Sequence, residues 1–208
     1  MLDIDWEHSP LLPLDLHRRP LAAGRAMARA LAGQGPQNPT LAGLVNGFVR
    51  LVDQACHQYD LARQHYQCAI DTGDLPPYFL AAGHIEYTLD AMHRALLYLS
   101  RLQRGGVLLR DGSPVVDPNV PLSVLSTDAR KRINDARDAV HHMDQWLAGG
   151  DISATTPAGV LLERGGITID TVVVRYSEIA SWLRQLYAVA DRLWQLPSAA
   201  VPPSSSEA

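Results

Sequence analysis

The chain has few cysteines, few aromatic side chains and no long apolar run. Its two cysteines, Cys56 and Cys68, are twelve positions apart within one expected helix. At 1.5 Å per residue that separation is about 18 Å, which is too long for a disulfide. Two reduced thiols favour a cytoplasmic protein in which both cysteines are small core residues. No apolar run approaches the length of a membrane span and the N-terminus lacks an export pattern, so we expect no membrane partner.

A strong charge of either sign is also missing. The formal net charge is -4 over 208 residues, which predicts no global attraction to nucleic acid or to acidic ligands. Leu and Ala are abundant, and this favours helices. One basic run, Arg130-Lys131-Arg132, is offset by Asp135 and Asp138, as is typical of a solvated helix face.

Apolar residues recur at steps of three and four in four stretches, which predicts four main helices. They are expected at residues 40–72, 76–99, 127–149 and 177–193. The link after Gly73 is short, so the first two helices should be antiparallel neighbours. Residues 160–163 and 167–170 predict a β-hairpin, and 172–174 a third short strand. The predicted fold class is mainly α: an up-and-down four-helix bundle with a small β-hairpin between the third and fourth main helices.

Two flanking segments differ in composition from the helical region. Residues 1–39 are a Pro-rich N-terminal arm in which residues 21–32 are compatible with a short helix. Whether this arm lies on the bundle, on a second subunit or free in solution stays open. Residues 197–208 are rich in Pro and Ser and are predicted to be disordered.

The third helix carries the most distinctive pattern. Ser126 or Thr127 is expected to cap its N-terminus, and Gly149-Gly150 to end it. Its apolar stripe consists of Leu125, Ala129, Ile133, Ala136, Val140, Met143 and Leu147. Beside the stripe lies an unusual polar set, namely Asn134, Arg137, Asp138, His141, His142 and Asp144.

The segment Arg137-Asp138-x-x-x-His142 resembles the motif of the HEPN family (higher eukaryotes and prokaryotes nucleotide-binding), many of whose members are metal-independent ribonucleases. Asp144 and Leu147 extend the likeness to members with His-x-Asp-x-x-Leu at this point. The resemblance covers residues 40–196 in outline, as a HEPN-like helical bundle. It implies an RNA substrate, a homodimer that brings two motifs together, and no metal or cofactor. It also implies a toxin–antitoxin or defence setting, with an antitoxin or regulatory protein as partner.

The motif residues suit RNA cleavage because RNA carries its own nucleophile, the 2′-hydroxyl. A histidine serves as base or acid near neutral pH, and an arginine binds phosphate oxygens. Carried over from the resemblance, Arg137 is the phosphate clamp, His142 the general base or acid, and Asp138 the group that orients His142. His141 is the alternative, because Arg137 and His141 share a helix face whereas His142 lies about 140° from Arg137.

Two other readings stay open. In one, the chain is a catalytically inactive HEPN-like scaffold or binding protein, and Arg137 belongs to an ordinary ion pair. In the other, Glu86, Asp90 and His93 of the second helix hold a metal together with His141 or His142. The same second-helix residues, with His84 and Tyr87, are alternatively expected to support the motif or to line an RNA groove.

Overall fold

The computed structural model describes Leu14 and residues 39–104, 125–149, 160–163, 165–169 and 171–195, with backbone alone at 143–149, 192, 194 and 195. These residues are mainly helical, with one small antiparallel sheet. The helices are α1 (Pro39–Thr72), α2 (Leu75–Arg104), α3 (Thr127–Gly149) and α4 (Tyr176–Gln195). The strands are β1 (Val160–Leu162), β2 (Gly166–Ile169) and β3 (Val172–Arg175).

The predicted helices and the predicted hairpin are confirmed in position. Both strand pairs are antiparallel and the order is β1-β2-β3. Val160 lies opposite Ile169, and Ile167 lies opposite Val174. The third short strand that residues 172–174 predict is therefore present. None of the described helices is both long enough and apolar enough to cross a bilayer.

Helices α1 and α2 form an antiparallel hairpin, as their short link predicts. Gly73 ends α1 with a φ of 72°, a conformation that costs glycine little because it has no Cβ. Its N–H donates to the Ala69 carbonyl at 2.8 Å. Phe48, Tyr59 and Ile85 are fully buried, so this hairpin supplies much of the core.

The other elements pack on this hairpin. Helix α4 contacts α1, and α3 contacts α2. Strand β1 lies against α2, while β2 and β3 contact both α3 and α4. The Tyr78 hydroxyl of α2 accepts the Leu162 N–H at 2.8 Å and donates to the Leu162 carbonyl at 3.3 Å. The sheet is thus fixed to three of the four helices.

Only Leu14 and Pro39 of the N-terminal arm lie within the described residues. Leu14 is buried in the core of its own subunit. Its carbonyl accepts a hydrogen bond from Arg184 Nε of α4 at 3.1 Å. At this one position the arm contacts its own helices. The short helix expected at 21–32 and the tail at 197–208 lie outside the described residues.

The expectation that both cysteines belong to the core is wrong for one of them. Neither cysteine forms a disulfide, but Cys56 is buried and Cys68 is exposed. Twelve residues correspond to a rotation of about 120° on a helix. Cys68 is therefore turned away from the face that buries Cys56.

Candidate functional site

Helix α3 begins at a serine cap. Ser126 Oγ accepts the Ala129 N–H at 3.1 Å, which decides between the two expected caps in favour of Ser126. Asp128 lies in the first turn, where a carboxylate is favoured by the helix dipole. Ala129, Ile133 and Ala136 are buried. This part of the predicted stripe is confirmed, Val140 is partly buried, and Met143 and Leu147 have no described side chains.

Arg132 joins α3 to the sheet and to α4. Its guanidinium pairs with Glu178 Oε1 of α4 and donates through Nη2 to the Val173 carbonyl of β3 at 2.6 Å. The expectation of a purely solvated basic run is therefore wrong at Arg132. It holds better at Lys131, which is exposed and pairs with Asp135 at 2.6 Å. Arg132 fixes the side of α3 that lies away from α2.

The opposite side of α3 faces α2 and carries polar contacts between the two helices. His93 Nδ1 of α2 donates to Asn134 Oδ1 at 2.8 Å. Two turns further along α3, His141 Nε2 lies 3.6 Å from Asp90 Oδ1 of α2. Asp90 Oδ2 also pairs with Arg94 of α2 at 3.6 Å. The His141 imidazole remains about half exposed to solvent, so it is accessible and has a carboxylate beside it.

Arg137 lies on this same side of α3, one turn before His141. Its Nη1 donates to Asp138 Oδ1 at 2.9 Å, and the side chain is partly exposed. Its Nε is buried and has no hydrogen-bond partner among the described residues. A buried donor without a partner is costly, so such groups commonly mark places where a ligand or water binds.

His142 projects from a different side of the helix. It is exposed, and five residue steps place it about 140° from Arg137. The structure therefore keeps Arg137 and His141 on one side of α3 and separates His142 from both. Asp138 is exposed and contacts Arg137. The side chains of Asp144 and Leu147, which extend the motif, are not among those described.

The second-helix residues divide between two neighbours. His93 and Asp90 contact α3, as described above, whereas His84 faces α1. Tyr87 is largely exposed. Across the residues with described side chains, no group of three or more His, Cys, Asp or Glu is arranged to hold a metal ion. The expected role of His84 as a support for the motif is wrong, because its contacts are with the other helix.

Sequence reasoning missed a histidine pair between α1 and α2. The rings of His65 and His84 stack at 5.2 Å between centroids and 12° between planes. His84 Nδ1 donates to Gln58 Oε1 at 2.6 Å. Burial, followed by the nearby His65 and His57, lowers the pKa of His84. The available signal was the antiparallel hairpin itself, since it brings residues on the two sides of the turn at Gly73 next to each other.

Known proteins add no family assignment to this geometry. No family model matches the chain, and neither the curated proteins nor the solved structures searched contain a match.

Proposed function

We propose that the chain is a HEPN-like, metal-independent endoribonuclease. What supports this is the side of α3 that faces α2, where an arginine and an accessible histidine lie one helical turn apart. Arg137 has a buried Nε without a described partner, and His141 lies 3.6 Å from Asp90. A permanent cation beside a histidine that can accept or donate a proton suits RNA cleavage without metal.

In this mechanism Arg137 binds the non-bridging oxygens of the scissile phosphate. A histidine removes the proton of the 2′-hydroxyl, which then attacks the phosphorus, and an acid protonates the departing 5′-oxygen. The Arg137 guanidinium stabilises the charge that develops on the phosphorane. Asp90, 3.6 Å from Nε2 of His141, orients the His141 ring.

Two histidines are available for the two proton transfers. His141 shares a helix side with Arg137, whereas the family register assigns the role to His142. The proposal includes a homodimer, because His142 meets an Arg137 only if a second subunit supplies one. It also includes the up-and-down order of a four-helix bundle, a cytoplasmic location, and an antitoxin or regulatory partner in a toxin or defence setting.

The test is cleavage of total RNA in EDTA by purified full-length protein. Wild type is compared with Arg137→Ala, His141→Ala and His142→Ala. His57→Ala and Arg50→Ala, both on the exposed surface of α1, are matched controls. We expect Arg137→Ala and at least one motif-histidine variant to lose about 10²-fold or more of the rate, and both controls to keep it.

A folded wild type that leaves RNA intact, or cleavage that is equal in all variants, would refute the ribonuclease. Loss with only one of the two histidine variants would assign the general base or acid. Activity that rises with the square of protein concentration at high dilution would support the homodimer.

The second candidate is a catalytically inactive scaffold with the same fold. One observation favours it: Arg137 already pairs with Asp138 at 2.9 Å. An arginine occupied in this way contributes to the helix surface rather than to phosphate binding. In that case wild type and Asp138→Asn would both leave RNA intact, whereas in an enzyme the wild type would cleave RNA and Asp138→Asn would lower the rate, because Asp138 is expected to orient His142.

A further inference from the structure

Exposed apolar side chains are concentrated on one side of α2. Leu75, Phe79, Leu80 and Tyr87 are 51%, 66%, 52% and 63% exposed. We call these four residues the α2 ridge. They fall within a sector of about 140° and extend over about 18 Å of helix. Scattered apolar residues are ordinary at a protein surface, whereas large apolar side chains exposed together on one side of a helix favour an interaction site.

The ridge contains an open notch at Gly83. This glycine lies between Phe79 and Tyr87, four residues from each. A Cβ placed on Gly83 would meet no atom within 4 Å. The notch is bordered by two large exposed rings and is open to solvent. Its shape suits an apolar side chain inserted from a partner.

The Asp, Glu, Lys and Arg residues of the segment that carries the ridge are of one sign. Residues 71–93 contain Asp71, Asp74, Glu86 and Asp90 but no lysine or arginine. The first cation beyond them on α2, Arg94, pairs with Asp90. Asp71 and Asp74, shortly before Leu75 in the chain, are both exposed, so the rim is acidic at the N-terminal end of the ridge. A partner that fits it carries positive charge.

We propose that the α2 ridge binds a cationic amphipathic helix of another protein. Apolar residues of that helix pack on Phe79 and Tyr87 and enter the notch at Gly83, and its lysines or arginines face Asp71 and Asp74. This is recognition of a helix by an apolar surface with charge complementarity at the rim. It does not depend on the proposed ribonuclease activity.

The same charges disfavour two other occupants. A second copy bound about a two-fold axis would bring the two acidic rims against each other. RNA would bring its phosphates against them. Both are therefore outcomes that would overturn the proposal.

The test measures fluorescence anisotropy of two labelled peptides with full-length protein. One is an amphipathic helix of about 18 residues built from Leu and Lys, and the other replaces every Lys by Glu. The variants are Phe79→Ser/Tyr87→Ser for the ridge and Asp71→Asn/Asp74→Asn for the rim. Val173→Ser is the matched control, because Val173 is 54% exposed but lies on β3.

We expect the Lys peptide to bind wild type and the control with equal affinity. Its affinity for the ridge variant should be lower by about tenfold or more. The rim variant should lose the salt dependence of binding. The Glu peptide should not bind. Far-UV circular dichroism and melting of each variant, compared with wild type, ensure that lost binding is not lost folding.

Equal binding of the Lys peptide by wild type and ridge variant would overturn the proposal, as would equally tight binding of the Glu peptide. A wild-type dimer that the ridge substitutions convert to monomer in analytical ultracentrifugation would assign the ridge to a second copy. Binding of a single-stranded RNA that the same substitutions abolish would assign it to RNA.

Discussion

At the scale of single residues, Tyr78 illustrates how a buried hydroxyl holds two elements together. It exchanges two hydrogen bonds with the backbone of Leu162 in β1. Two other buried tyrosines, Tyr59 and Tyr176, have hydroxyls without a hydrogen-bond partner in the described part of the chain. The tyrosine hydroxyl therefore has hydrogen-bond partners at one position and no described partner at the two others. Its removal should lower the stability of the protein in the first case but not in the others.

We expect Tyr78→Phe to lower the free energy of unfolding by about 1–3 kcal/mol, because it leaves the Leu162 backbone groups without their partner inside the protein. Tyr176→Phe is the matched control and should be neutral or slightly stabilising, since it removes a buried donor that lacks a described acceptor. Urea unfolding at neutral pH measures both values. Equal destabilisation by the two substitutions would contradict this account.

Burial of single residues could be predicted from the sequence, whereas their polar partners could not. Leu89 and Leu186 are buried where the helical period places them. The period is a property of one helix and needs no knowledge of its neighbour. The pairing of Arg132 with Glu178 depends on how two elements are rotated and offset against each other. Local sequence does not fix those quantities.

At the scale of whole elements, substitution of two glycines, one directly after α1 and one within α2, should change the stability of the protein in opposite directions. Gly83 lies inside α2, and a Cβ there meets nothing within 4 Å. Gly73 follows α1 with a φ of 72°. We expect Gly83→Ala to stabilise the protein by about 0.5–1 kcal/mol, because alanine favours the helix. Gly73→Ala should destabilise it by about 1–2 kcal/mol, because an L-residue is strained at positive φ.

Thermal unfolding followed by circular dichroism distinguishes these outcomes. Each site serves as the control for the other, since both substitutions add one methyl group. A loss of stability in Gly83→Ala would mean that the notch is not open on the folded protein. It would then also weaken the case for insertion of a partner side chain there.

Element ends were predictable where a residue type forces them. Gly73 ends α1 for this reason, and Ser126 starts α3 because its hydroxyl accepts a helix N–H. The start of α4 is less obvious from sequence. Glu178 Oε2 accepts the Arg175 N–H at 2.9 Å, so the helix begins at Tyr176, one residue before the expected Ser177. Arg175 occupies the N-cap position, and the Glu178 side chain reaches back to its N–H. Arginine is not among the residues usually found at an N-cap, so the sequence did not indicate this start.

At the scale of the whole molecule, the fold class was predictable and the composition of the candidate site only in part. Four amphipathic periods and one hairpin pattern suffice for a mainly helical protein with a small sheet. The motif helix was recognised with its bounds. Asp90 was expected near His141 or His142, as a metal ligand or as support for the motif, and it lies 3.6 Å from His141; the sequence did not choose between the two histidines, because that choice depends on how α3 is rotated against α2.

The stability of the whole molecule should depend on pH through the histidine pair between α1 and α2. Burial and the nearby His65 and His57 lower the pKa of His84 below its ordinary value of 6.5. The unfolded chain therefore binds more protons than the folded protein in mildly acidic solution. Stability is full above pH 6.5 and is lost as the pH falls below about 6.5, towards the lower pKa of the folded state. Protonation also adds charge to a ring stacked on His65.

We expect the urea concentration at the midpoint of unfolding of the wild type to decrease as the pH is lowered from 7.5 to about 5.5. Most carboxyl groups titrate below this range. His84→Gln keeps a donor for Gln58 but cannot be protonated, so its midpoint should fall less over the same range. His65→Gln should also flatten the dependence, because it removes a neighbour that lowers the pKa of His84. An NMR titration of the His84 ring provides the direct measurement. Two results would show that the stacked pair does not couple protonation to folding. One is an NMR titration of the His84 ring with its midpoint at or above pH 6.5. The other is the same pH dependence of the urea midpoint in wild type and His84→Gln.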